Sequence, residues 1–121
     1  MSELNNIALK IIGKGKGILA ADESTGTMTK RLDGVNVKSN PKNRLLFRET
    51  LFSSARMKDC IGGVILYDET IRQSGKLGKK IPELILESNT VTGIKVDTGA
   101  KVLANSKEEK ITEGLDGLRE R

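Results

Sequence analysis
Leu4, Ile7, Ala8, Ile11 and Ile12 recur at the three- and four-residue spacing that lines one face of a helix. Ser2 stands where an N-cap belongs, and Gly13 stops the pattern. Gly13, Gly15 and Gly17 then break the periodicity, and Ile18-Leu19-Ala20-Ala21 follows as a short, wholly apolar run. Such a run predicts a strand buried on both faces. It ends abruptly at Asp22-Glu23-Ser24-Thr25-Gly26. Residues 27–33 predict a short helix holding Met28 and Leu32. Asn40-Pro41 predicts a helix start, with Asn as N-cap and Pro at the first helical position. That helix carries Leu45, Leu46, Leu51 and Phe52. Ile61 to Tyr67 reads as a second strand, residues 74–80 as a polar loop, and Ile81-Pro82 as the start of another helix. Thr92 to Asp97 reads as a third strand. Ser106 and Glu109 have capping-box spacing, and Thr112 offers another cap for a last helix over residues 114–121.

Strands alternating with helices predict an α/β fold with a parallel sheet covered on both faces. The repeating unit fits a (β/α) barrel or a doubly wound sheet. Each strand ends in carboxylates: Asp22-Glu23, Asp68-Glu69 and Asp97. Barrel enzymes carry their reactive groups at that end. A barrel takes eight strands and about 250 residues. The expectation is therefore a single, incomplete domain over residues 1–121, truncated at its C-terminal end.

Composition narrows the chemistry. The 121 residues are 36% apolar and 31% charged, with a net charge of +5 and only three aromatic residues, Phe47, Phe52 and Tyr67. Residues 41–80 carry +5, but their Lys and Arg are scattered through amphipathic segments. Nucleic-acid binding favours a clustered basic stripe with stacking aromatics, so no nucleic-acid partner is expected. A small phosphorylated anion suits the charge better. No apolar run reaches the ~18 residues of a membrane span, so no membrane partner is expected. There is no His and one Cys, Cys60, which argues against a zinc site, an internal disulfide or a Ser-His-Asp triad. Cys60 reads as an inert residue at the edge of the second strand, and a cytoplasmic setting is the default expectation.

Alternation places Lys95 and Asp97 on one face of the third strand and Ile94 and Val96 on the other. The pair reads either as an ordinary buried ion pair or as a cation in a barrel lumen. In the lumen, Lys95 would bind an anion or serve as an amine of lowered pKa. Asp22 likewise points inward from the end of the first strand. Asp22 to Thr25 also reads as a plain turn and helix cap. The Ser24, Thr25 and Thr27 hydroxyls at a helix start suit a phosphate. Gly13-x-Gly15-x-Gly17 is no dinucleotide loop, because it follows a helix and opens a strand rather than the reverse.

The string Gly17-Ile18-Leu19-Ala20-Ala21-Asp22-Glu23-Ser24-Thr25-Gly26-Thr27, with Lys30-Arg31-Leu32, resembles the N-terminal signature of class I fructose-bisphosphate aldolases. The likeness continues through Asn43-Arg44, Ile61-Gly62-Gly63-Val64-Ile65-Leu66, Glu69-Thr70, Gly93-Ile94-Lys95-Val96-Asp97 and Gly114-Leu115-Asp116-Gly117-Leu118. It covers about the first third of a family member. The resemblance implies the first three βα units of a TIM (β/α)₈ barrel and a lyase that reversibly cleaves fructose 1,6-bisphosphate into dihydroxyacetone phosphate and glyceraldehyde 3-phosphate. It also implies no metal or other cofactor, a sugar-phosphate substrate and a cytoplasmic homotetramer. Asp22, Lys95 and Glu23 then match catalytic-site positions. Ser24, Thr27, Arg31, Arg44 and Asp97 match the substrate-phosphate surroundings. The Schiff-base lysine of the family lies on a later strand, so these 121 residues alone are expected to be inactive, and Lys95 is not that lysine. The alternative is a sugar-phosphate-binding or self-associating protein without catalysis.

Overall fold
The structure is a computed structural model that describes residues 2–121. Helix α1 spans Glu3–Ile12; Ser2 Oγ accepts from the Asn5 backbone N–H, as an N-cap should. A 3₁₀ turn at Gly13–Gly15 reverses the chain into β1, Gly17–Ala21. Helices α2 (Thr25–Asp33), α3 (Pro41–Phe52) and α4 (Met57–Cys60) lead to β2, Ile61–Leu66. Helices α5 (Asp68–Ile71) and α6 (Ile81–Glu87) lead to β3, Val91–Ile94. The three strands pair in parallel in the order β1-β2-β3. That is the succession of neighbours with which a TIM barrel begins.

One face of the sheet builds the core. Ala21, Val64 and Leu66 pack with Phe52, Met57, Ile81 and Ile85 from α3, α4 and α6. Proline at the start of α3 and of α6 fixes φ where no backbone donor is needed. Asn40 Oδ1 caps α3 through the Asn43 N–H.

The opposite face is closed at its amino end by α1. Gly62 and Gly63 let α1 approach: a Cβ on Gly62 would collide with the Ile11 carbonyl, and one on Gly63 would meet the Ile11 side chain at 3.1 Å. The β1–β2 register shifts at this point, Gly17 pairing Ile61 but Ile18 pairing Gly63. The apolar run Ile18 to Ala21 is buried on one face only, since Ile18 is 54% exposed on the other.

Three expectations need correction. The last helix, expected over residues 114–121, does not form. An antiparallel hairpin of β4 (Gly99–Val102) and β5 (Lys110–Glu113) stands there instead, followed by a short 3₁₀ turn at Leu118–Glu120. Thr112 pairs with Ala100 across that hairpin rather than capping a helix. Gly114 adopts φ +149°, and a Cβ there would strike the Val96 carbonyl, so the chain passes too close to the end of β3 to begin a helix. Ser106 Oγ does accept from the Glu109 N–H, but this closes the hairpin loop. Third, β3 ends at Ile94 rather than Asp97. Beyond it, the Lys95 N–H still reaches the Leu66 carbonyl at 2.8 Å.

Candidate active site at the carboxyl edge of the sheet
β1, β2 and β3 all deliver polar residues to the same edge, where a cleft of about 680 Å³ opens. Asp22, Glu23, Ser24, Thr27, Lys95 and Asp97 line it, together with Tyr67 and Asp68. The register explains the meeting of strands distant in sequence. Ala20 pairs with Ile65, and Ile65 with Gly93, so residues two further along each strand share one face. Asp22, Tyr67 and Lys95 are those residues.

The Lys95 ammonium donates to Asp97 Oδ1 at 2.6 Å and to Asp22 Oδ2 at 3.3 Å. Its pKa is raised, first by the hydrogen bond to Asp97, against the opposing effect of burial, and further by Asp22. The Asp97 carboxyl is correspondingly held below its ordinary value by Lys95. A raised pKa is the opposite of what a neutral-amine nucleophile needs. It makes Lys95 a fixed cation.

Ser24 caps α2. Its Oγ accepts from the Thr27 N–H at 3.3 Å and lies 3.2 Å from Thr27 Oγ1. Two hydroxyls at a helix start thus share one corner of the cleft, a suitable setting for an anion.

The other expected residues lie further out. Arg31 is exposed and pairs with Glu23, at the rim rather than in the lining. Arg44 is buried on α3 and holds Glu69 with a two-pronged contact, Nε to Oε2 at 2.9 Å and a second nitrogen to Oε1 at 2.6 Å. Neither residue lines the cleft, so Glu69 is the one strand-end acid spent on structure. Asp68 lines the cleft and pairs with Arg72.

Sequence reading missed Tyr67, Thr98, Gly99 and Arg121 in the lining, and Arg48 beneath it. Tyr67 was legible as the residue in register with Lys95. Arg48 was not, because an arginine on an amphipathic helix reads as a solvent residue.

Comparison with known proteins decides the lineage. A family model described as fructose-bisphosphate aldolase class-I matches residues 3–121. The chain belongs to the class I fructose-bisphosphate aldolases. It is similar to fructose-bisphosphate aldolase B of Sparus aurata, at 49% identity over 98% of this chain and 33% of that protein. It is also similar to fructose-bisphosphate aldolase C of Homo sapiens, at 50% identity over 98% of this chain and 33% of the relative. Fructose-bisphosphate aldolase from Plasmodium falciparum, solved in complex with TRAP and a small-molecule inhibitor, superposes with a TM-score of 0.90. That match has 42% identity and covers 98% of this chain and 34% of the neighbour. The chain therefore spans about a third of the length of these aldolases, and its sheet is the N-terminal part of a TIM barrel. Among the described residues, no helix is long and apolar enough to cross a membrane.

Proposed function
We propose that these residues form the β1–β3 wall of the active site of a class I aldolase. The enzyme reversibly cleaves fructose 1,6-bisphosphate into dihydroxyacetone phosphate and glyceraldehyde 3-phosphate, in glycolysis and gluconeogenesis. The observation that carries the reading is the Asp22–Lys95–Asp97 cluster at the carboxyl edge of a parallel sheet of this family. The cleft volume suits a small polar ligand.

Each residue then has a role. Lys95 is the permanent cation that draws a phosphate-bearing sugar toward the sheet edge, with Asp97 holding its ammonium in place. Asp22, beside that ammonium, exchanges a proton with the bound ligand. Ser24 and Thr27 offer hydroxyl donors to a phosphate group at the start of α2. Arg31 reaches in from the rim once Glu23 releases it. Arg44 acts at a distance, by fixing Glu69 and the turn after β2. The family's Schiff-base lysine has no counterpart among these residues, so the 121 residues alone are expected to bind sugar phosphate without turning it over. On the same reading the native product is a cytoplasmic homotetramer.

The test is turnover of fructose 1,6-bisphosphate by the native product that carries this sequence. Cleavage that falls at least about 100-fold in Asp22→Asn or Lys95→Met supports the reading, since each substitution removes more than about 2.7 kcal/mol of transition-state stabilisation. Borohydride trapping of dihydroxyacetone phosphate on Lys95 would overturn the role given to it.

A further inference from the structure
We infer that Arg48 is a positioning residue of this cleft, acting through Glu23 and Tyr67 without touching the ligand; the inference rests on the sugar-phosphate reading given above. Arg48 is fully buried on α3 and is absent from the cleft lining. Its guanidinium divides between the segments that follow two strands. One terminal nitrogen donates to Thr70 Oγ1 at 2.7 Å, in the helix after β2. The other donates to the backbone carbonyl of Glu23, directly after Asp22. That second nitrogen also lies 3.9 Å from Glu23 Oε2, and the cation stands 5.6 Å from the centre of the Tyr67 ring. Glu23 and Tyr67 both line the cleft.

Burial makes this an expensive way to fill space, and it pushes the guanidinium pKa below its ordinary value. A methionine would occupy similar volume without taking a cation out of water. Only the planar fork supplies two donors at fixed separation, and here they fix the β1 end relative to the β2 end. Arg48 Nε and Glu23 Oε2 are both buried with no hydrogen bond. The two groups therefore hold donor and acceptor capacity in reserve, while Glu23 Oε1 is engaged by the exposed Arg31. Glu23 stands between a rim arginine and a buried one, and Arg48 is the partner it retains when Arg31 turns toward an anion.

The experiment compares Arg48→Lys, Thr70→Val and the core variant Ile85→Val in the native product carrying this sequence, each at a temperature where circular dichroism shows it folded. Lysine keeps the charge but cannot bridge both acceptors. Valine at position 70 removes one acceptor at nearly constant shape, so it decides the matter if Arg48→Lys does not fold. The expected result is a tenfold or greater loss of kcat/KM in the first two variants, carried mainly by kcat, with Ile85→Val within threefold of the parent. A folded Arg48→Lys or Thr70→Val enzyme within threefold of the parent overturns the inference. An inactive parent overturns the sugar-phosphate reading instead. The placement of the β1 end is then read from the Lys95 Nζ titration by NMR: a lower midpoint in the variants upholds it, and an unchanged one sinks it.

Discussion
Lys95 reaches Asp22 across 73 positions of sequence to make a 3.3 Å contact between the ends of β3 and β1. The shorter bond to Asp97, two residues on, holds the ammonium in place. The contact lies a quarter exposed, so it is a site feature more than a prop of the fold. Substituting Lys95 by Met is expected to leave the thermal midpoint nearly unchanged. The same substitution should weaken fructose 1,6-bisphosphate binding by about tenfold or more, the value of one lost charge-assisted contact. Isothermal calorimetry on parent and variant checks the binding, and scanning calorimetry checks the thermal midpoint.

The pH dependence of stability follows from the same cluster. Lys95 has a raised pKa in the fold, so its contribution is complete below the ordinary lysine value near 10.4 and is lost as pH rises through the raised one. Asp97 and Glu69 have lowered values, through Lys95 and Arg44 respectively. Their contributions are complete above about pH 4 to 4.5 and are lost as pH falls through the lowered values. Urea midpoints should therefore be flat between roughly pH 5 and 10 and decline below that range, with only a shallow decline above it because the Lys95 contacts are partly exposed. Lys95→Met should flatten the alkaline limb, and Glu69→Gln part of the acid limb.

Arg44 and Glu69 should behave as a coupled unit. Glu69→Gln leaves a nearly buried guanidinium with a weaker acceptor, and should cost about 1–3 kcal/mol in urea unfolding. Arg44→Met combined with Glu69→Gln should cost less than the two single changes added, because neither group is then left facing a lost partner.

Gly62 should tolerate nothing larger. Alanine there meets the rigid Ile11 carbonyl, whereas alanine at Gly63 meets only a side chain that can shift. Gly62→Ala should destabilise by about 1–3 kcal/mol and loosen α1, and Gly63→Ala by distinctly less. Hydrogen exchange of the α1 amides distinguishes strain at this contact from a general loss of stability.

Much of this architecture was legible because local and global signals agree. Ser2 and Asn40 cap the helices their positions announce, and the apolar runs at Ile18 and Ile61 become paired strands. Alternation pointed Asp22 inward and set Lys95 beside Asp97, but that Asp22 and Lys95 share one face comes from the parallel register. Residues 99–121 failed to declare themselves for physical reasons. The hairpin is largely exposed, so no buried stripe marks it, and Ser106 with Glu109 makes the same side-chain-to-backbone bond in a hairpin loop as at a helix start. Arg48 was hidden for the converse reason: its partners Glu23 and Thr70 lie 25 and 22 positions away, and only the packed structure brings them together. Arg31 and Arg44, expected from the resemblance near a substrate phosphate, are paired with carboxylates and lie outside the cleft lining.

The most direct test of the central claim is an NMR titration of this chain with fructose 1,6-bisphosphate, following the Ser24 and Thr27 amides and the Lys95 Nζ. The account predicts saturable shifts at these three residues, with the Ser24 and Thr27 shifts needing about tenfold or more ligand in Lys95→Met and unchanged in Ile85→Val. Absence of saturable shifts there, or shifts clustered on another surface, would contradict it.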